Sequence, residues 1–385
     1  MSHLFPTYTK WEIEPESAKG CYLYDKKGKK YLDFTSGIGV CNLGHRPEVV
    51  EKAVQDQLQK YWHLSNMYTI EKQEECAALL AKAAGLEYVF FANSGAEANE
   101  GAIKLARKAT GRNKIITFYH SFHGRTFATM AATAQDKIKT GFGQMLEKFV
   151  YVPFNDITAL KAALDEETAA VMLEIVQGEG GIHVADGQFL SELEQLCHKN
   201  GSLLIIDEIQ TGLARTGKAF SYQHFNLTPD IVTAAKALAN GFPLGAVIGS
   251  KKLKDVFGPG SHGSTFGGNP VSVAAAVATL QTLFTASFLS NVKETSAYLA
   301  AKLEEIVAPL SAVVEIRGLG MMIGIELTTS VTPILQELRG KGFIALPAGE
   351  KVLRLLPPLI VTKAEIDQAV AFIAEGLASY SMSAV

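Results

Sequence analysis

Between about Tyr88 and Ser250 the chain repeatedly alternates short β-branched or apolar runs with segments of helical period. That alternation restricts the fold more than any other feature, because it is the signature of a mostly parallel sheet with helices on both faces. The runs are VFFA (89–92), KIITFY (114–119), FVYVP (149–153), AAVMLEI (169–175), LLIID (203–207), DIVTAA (230–235) and GAVIG (245–249). Several lack any polar alternation, as strands buried on both faces require. Between them Ala98, Ala102, Leu105, Ala106 and Ala109 form one helical stripe, and QFLSELEQLCHK after Asp186 has the same character. Outside this block the pattern changes. Residues 21–34 read as a hairpin turned at Lys27–Gly28, and 314–380 mixes short strands (MMIGIEL, VLRLL) with two helices. The expectation is an α/β chain with a large domain over 46–270 and a smaller α+β domain built from both termini, 1–45 together with 271–385. A long helix starting near Asn269 marks the boundary.

Composition narrows the function classes. The chain has 385 residues, and 36 Lys and Arg nearly cancel 39 Asp and Glu. A formal net charge of −3 provides no excess for holding polyanions, so no nucleic-acid partner is expected. The longest apolar stretch, 271–284, falls short of the ~20 residues a membrane span needs, and reads instead as a buried helix. Residues 1–16 contain no basic segment followed by an apolar run, which makes a cytoplasmic location the expectation. Cys21, Cys41, Cys76 and Cys197 are scattered without C-x-x-C pairing and read as reduced thiols rather than a zinc site or disulfide framework.

Three features carry chemistry. Asn93-Ser94-Gly95-Ala96-Glu97 follows a strand and opens a helix, so free backbone N–H groups and the positive helix end face whatever lies in front. Asp207 ends LLIID, at the strand edge where open α/β sheets place their ligands. Lys236 sits among Ala234, Ala235, Ala237 and Leu238, where lost hydration lowers an amine's pKa and makes it a Schiff-base candidate. An ordinary Ser cap, a loop-capping Asp and a snorkelling Lys are the plainer readings of each alone. Together they match what pyridoxal 5′-phosphate needs: a phosphate cradle, an amine for its aldehyde and a carboxylate for its ring nitrogen. Two other motifs are weaker. Gly212–Lys218 (GLARTGK) fits a nucleotide-binding P-loop, but Ala219 replaces the hydroxyl that would hold magnesium and no strand immediately precedes it. His120 and His123 have a metal-ligand spacing but no evident third ligand, so no metal is expected.

Along nearly its whole length the sequence resembles the class III (subgroup II) aminotransferases of the fold-type I pyridoxal-phosphate enzymes. The carrying stretches are GKKYLDFTSGIGVCNLGH (28–45), FFANSGAEANEGAIKLAR (90–107), YHSFHGRT (119–126), VQGEGG (176–181), IIDEIQTGLARTGK (205–218), TAAKALANGFPLGA (233–246), HGSTFGGNP (262–270) and VLRLLPPL (352–359). The resemblance implies that Lys236 binds the cofactor's aldehyde, Asp207 its ring nitrogen and Gln210 its 3-oxygen. Ser94, Gly95 and Ala96 would hold the phosphate, Phe122 would stack on the ring, and Thr265 would reach the phosphate of a partner subunit in a homodimer with shared sites. Arg354 would clamp the α-carboxylate of glutamate, Arg125 that of N-acetylornithine, with Ser264 a further substrate contact. Glu179 would pair with Arg354 as a gate between the two substrates. The implied reaction moves an amine between N-acetylornithine and 2-oxoglutarate, giving N-acetylglutamate 5-semialdehyde and glutamate, in arginine biosynthesis. Succinylornithine, succinyl-diaminopimelate, ornithine and 4-aminobutyrate are alternative amine donors. The sequence departs from relatives at Ile175, commonly Pro, and Ala214, often Gly. Ile38 stands at the position of a substrate-binding Tyr in ornithine aminotransferases, which argues against free ornithine.

Overall fold

A computed structural model describes residues 3–383, with side chains described for 3–378. At its centre lies a seven-stranded sheet: β1 (Tyr88–Ala92), β2 (Lys114–Phe118), β3 (Phe149–Val152), β4 (Thr168–Leu173), β5 (Leu203–Asp207), β6 (Ile231–Ala234) and β7 (Gly245–Gly249), in the order β1-β7-β6-β5-β4-β2-β3. All seven sequence-predicted runs form its strands. The neighbours from β6 through β5, β4 and β2 to β3 are parallel. Only β7 runs against its neighbours β6 and β1. The physical reason is length. The connection 235–244 is shorter than the crossover of about a dozen residues that a parallel pair requires.

Strand ends differ from the runs by a residue or two. AAVMLEI stops at Leu173, because Val176–Gln177 turns off to pair with His183–Val184. Tyr119 leaves β2, donates its N–H to Val152 O and bridges to Ala134. Helix α1 (Gly95–Thr110) lays Ala98, Ala102, Leu105 and Ala106 on the sheet, and α2 (Gly187–Asn200) is capped by Asp186, whose side chain accepts from Gln188 N and Phe189 N. Helix α3 (Pro270–Leu283), started by Asn269, is apolar all round and accordingly buried. Its axis bends by 70° into α4 (Ala286–Ile306). Among the described residues no single helix is long and apolar enough to cross a membrane.

Segments from the two ends of the chain meet. The hairpin expected over 21–34 is Tyr22–Asp25 paired with Lys30–Asp33, and Phe343–Ile344 from the other end of the chain adds beside Lys30–Asp33. A second small sheet contains Met322–Leu327 and Val352–Leu355, the strand that carries Arg354. The loop 212–218 joins these layers to the central sheet. Its Arg215 is fully buried and donates to Asn42 Oδ1 (2.5 Å), Pro357 O (2.5 Å), Met321 O (3.2 Å) and Ser36 Oγ (3.4 Å). Burial lowers the Arg215 pKa to about 9, so these four acceptors matter to keeping its charge inside. Ala214, where relatives often have Gly, is held in the left-handed region at φ 69°. GLARTGK is thus a structural junction, and its Lys218 Nζ donates to Gln223 O rather than facing an open cradle.

Candidate active site

Three strand ends on one edge of the sheet assemble the site. After β1, Ser94 adopts an extended conformation and its Oγ accepts from Glu97 N, so the chain enters α1 with Gly95 and Ala96 at the helix's first positions. Gly95 is packed against Ile209; a Cβ there would approach its side chain to 2.9 Å. After β5, Asp207 is 3% exposed and gathers three donors: Asn99 Nδ2 at 2.7 Å, His123 Nδ1 at 2.8 Å and Ile209 N at 3.1 Å. After β6, Lys236 turns the chain at φ 47°, a strained backbone for a residue with a Cβ. Its ammonium makes no hydrogen bond or ion pair among the described residues. Desolvation lowers its pKa, opposed by the charge of Glu179 and helped by that of Arg354.

These groups face one cavity of about 250 Å³. Of the residues expected from the sequence, Gly95, Ala96, Phe122, Arg125, Glu179, Asp207, Gln210 and Lys236 line it. Arg354 is 2% exposed and reaches the cavity's edge through its partners. Its Nη1 donates to Gly178 O (2.6 Å), Glu179 Oε1 (2.6 Å) and Gln210 Oε1 (3.1 Å). Gln210 Nε2 in turn donates to Glu179 Oε1 at 3.2 Å. Burial disfavours the Glu179 carboxylate, but the Arg354 guanidinium beside it more than compensates and holds its pKa below the ordinary value. Arg125 is exposed, with its guanidinium carbon 5.7 Å from the Phe122 ring centre. Ser94 and Ser264 do not line the cavity; Ser264 Oγ accepts from Asn93 Nδ2 and Gly267 N. Thr265 is exposed and does not line the cavity.

Three further residues belong here that the sequence reading passed over. Asn99 and His123 orient Asp207, and Glu174 lines the cavity beyond β4. Burial opposes the His123 imidazolium, yet the bond to Asp207 and the charges of Asp207 and Glu174 outweigh it and raise its pKa. Burial pushes the Glu174 carboxyl up to about 7 against the charge of His123. The signal that singles out Asp207 was present for Glu174 too: an acid inside the apolar run AAVMLEI. Among the described residues no group of three or more His, Cys, Asp or Glu is placed to hold a metal ion, and His123 is engaged with Asp207. A larger hollow of about 550 Å³ beside His45, Arg46 and Ile360 contains none of the expected site residues.

The donor set fits pyridoxal phosphate. Backbone N–H groups at a helix N-terminus suit its phosphate, a buried carboxylate its ring nitrogen and a desolvated amine its aldehyde, and all three line one cavity.

Comparison with known proteins points the same way. The family model described as aminotransferase class-III matches residues 6–377. An acetylornithine aminotransferase from Bacillus subtilis is 56% identical over 383 residues, covering 99% of each chain. One from Halalkalibacterium halodurans is 55% identical over 384 residues, covering all of both. Among solved structures, an ornithine aminotransferase from Toxoplasma gondii superposes with a TM-score of 0.94 at 29% identity, over 99% of this chain and 93% of that one. The N-acetylornithine aminotransferase of Stenotrophomonas maltophilia gives 0.85 at 34% identity, over 97% of each.

Proposed function

Since the chain belongs to the class-III aminotransferases, we propose that it transfers an amino group between the δ-amine of N-acetylornithine and 2-oxoglutarate. The products are N-acetylglutamate 5-semialdehyde and glutamate, and the reaction serves arginine biosynthesis. The observation that carries this reading is the pairing of Arg354 with Glu179 beside Lys236 and Asp207. An aminotransferase for two such substrates needs one guanidinium that is available for glutamate and masked for the acylated diamine.

Bound pyridoxal phosphate supplies an electron sink next to the reacting amine. Around it, Gly95 and Ala96 N–H groups hold the phosphate, with Ser94 fixing the turn that aims them. Phe122 covers one ring face, and Gln210 holds the ring's 3-oxygen. Asp207, fixed by Asn99 and His123, would face the ring nitrogen and favour its protonated form. Lys236 anchors the cofactor at rest. Once free of the cofactor, Nζ, whose pKa burial lowers, would take the proton from the amine-bearing carbon and return it one position along.

Two carboxylate clamps then divide the substrates. Arg125 takes the α-carboxylate of N-acetylornithine while Glu179 neutralises Arg354. For glutamate, Glu179 swings out and Arg354 receives the α-carboxylate in a bidentate pair. The buried Arg354 Nε has no partner, which leaves a second donor for that pair. Ser264, which accepts from Asn93 Nδ2, adds a further substrate contact.

We also propose a homodimer, a cytoplasmic location and a large domain over 46–270 packed on a smaller one from both ends. Exposed Trp62, Met67 and Phe266 support the dimer, because they lie on two neighbouring segments, the second of which carries exposed Thr265, which would then serve the partner's phosphate. That patch is continuous: Asn66 Nδ2 donates to Ser264 O and Gly267 O, and the His63 and Phe266 rings lie 5.2 Å apart. The test is a panel of N-acetylornithine, succinylornithine, succinyl-diaminopimelate, ornithine and 4-aminobutyrate assayed with 2-oxoglutarate. N-acetylornithine is expected to give the highest kcat/KM; a higher value for another amine would overturn the substrate assignment.

A further inference from the structure

We propose that Glu174 is a positioning residue of the glutamate clamp, acting on Arg354 through the peptide groups of Gly178. The inference rests on the two-clamp reading above. The geometry is a relay through one residue. Glu174 Oε1 accepts the Gly178 N–H at 3.3 Å, and the Gly178 carbonyl accepts Arg354 Nη1 at 2.6 Å. The other carboxylate oxygen, Oε2, accepts the Phe122 N–H at 3.0 Å. Glu174 therefore spans the cavity between the ring-covering wall and the turn carrying the gate, with neither oxygen free to rotate away.

Two further observations make this tie specific to the clamp. Gly178 is packed so closely on Gln210 that a Cβ would collide with the amide group, so the turn lies flat against the same glutamine that Arg354 contacts. Glu174 is 6% exposed and meets no cation at hydrogen-bond distance among the described residues. A carboxyl buried with two backbone N–H groups as its hydrogen-bond donors is costly unless holding those groups in place has a use. The gate side chain of Glu179 can leave Arg354 by rotating, whereas the Gly178 carbonyl belongs to the main chain of a turn fixed at one end by the Glu174 bond to the Gly178 N–H and along its face by Gln210. Glu174 thus sets where the guanidinium sits once the gate is open.

The probe is glutarate, an unreactive dicarboxylate, titrated into the holoenzyme by calorimetry. Glu174→Gln keeps the shape but offers one acceptor to two N–H groups. Glu174→Asp keeps the charge and shortens the reach. Each is expected to weaken glutarate about tenfold, the scale of one misplaced buried hydrogen bond to a charged group. Each is also expected to slow the glutamate half-reaction more than the N-acetylornithine half-reaction. In an Arg354→Ala background, Glu174→Gln should weaken glutarate no further, because the relay has lost its end point. Equal losses in both half-reactions, full glutarate affinity in Glu174→Gln, or additive losses in the double variant would overturn the proposal. If Arg354→Ala itself leaves glutarate binding intact, the two-clamp reading fails instead. Near-native melting temperature and cofactor absorbance identify variants that have kept their fold; should Glu174→Gln lose both, the Glu174→Asp titration decides alone.

Discussion

Replacing Arg354 with alanine separates the two substrates most sharply. The side chain is 2% exposed and holds three acceptors through Nη1, so the variant strands Glu179, Gln210 and the Gly178 carbonyl. The Glu179 side chain is 30% exposed and turns to solvent, which limits the structural cost. The loss falls on glutamate. A guanidinium–carboxylate pair makes two charge-assisted hydrogen bonds of ~1.5–3 kcal/mol each, and desolvation of both groups cancels part of it. About 3–4 kcal/mol remains, which at 1.36 kcal/mol per decade is roughly two to three orders of magnitude in kcat/KM. N-acetylornithine, whose α-carboxylate is assigned to exposed Arg125, loses less than about tenfold on the same scale. Single-turnover half-reactions followed by the cofactor's absorbance give the two numbers separately. Arg125→Ala should reverse the ratio. Equal losses for both substrates in either variant would refute the division of labour.

Other perturbations test neighbouring parts of the site. Asp207→Asn places an amide where Asn99 Nδ2 and His123 Nδ1 already donate, and removes the carboxylate proposed to hold the ring nitrogen protonated. A stability loss of about 1–3 kcal/mol and a far larger loss of turnover are expected, and near-normal turnover in a folded variant would reject the assignment. Gly178→Ala pushes aside the Gln210 amide, a movable side-chain end, so the melting temperature should hardly change while the KM for glutamate rises. A large drop in stability with unchanged KM would contradict this. The bond from Asp33, with Cys41 contributing, raises the His45 pKa to about 10 from the ordinary value of 6.5. A raised histidine stabilises the fold fully below the unfolded value and progressively less as pH climbs from 6.5 toward 10. Urea unfolding across that window should show a decline of a few kcal/mol, to order of magnitude, that His45→Gln lacks. An identical slope in both proteins would dismiss the pair's role.

Much of this was readable from the chain because the strongest signals are local. A strand buried on both faces must be apolar throughout, so LLIID and GAVIG declare their full extent. Asp207 and Lys236 are legible for the converse reason, each being a charge in apolar company. What stayed hidden depends on contacts distant in sequence. Nothing near Asn99 reveals that its amide reaches Asp207, 108 positions later, and the pairing of His123 with the same carboxylate spans 84 positions. The spacing of His120 and His123 suggests a metal when seen locally, while the fold engages His123 with an acid instead. AAVMLEI reads as one strand, since a hairpin leaving the sheet at Glu174 differs from a strand only in where its hydrogen bonds go. The reversal of β7 was likewise set by the length of one connection rather than by its own sequence.

The amine at position 236 is the centre of the account, and chemical trapping addresses it without reference to turnover. Purified protein loaded with pyridoxal phosphate, reduced with borohydride and digested, should yield one pyridoxyl-modified peptide, with the label on Lys236. The label should vanish in Lys236→Ala. A label on another lysine, or no adduct in protein that retains its fold, would contradict the assignment of this site.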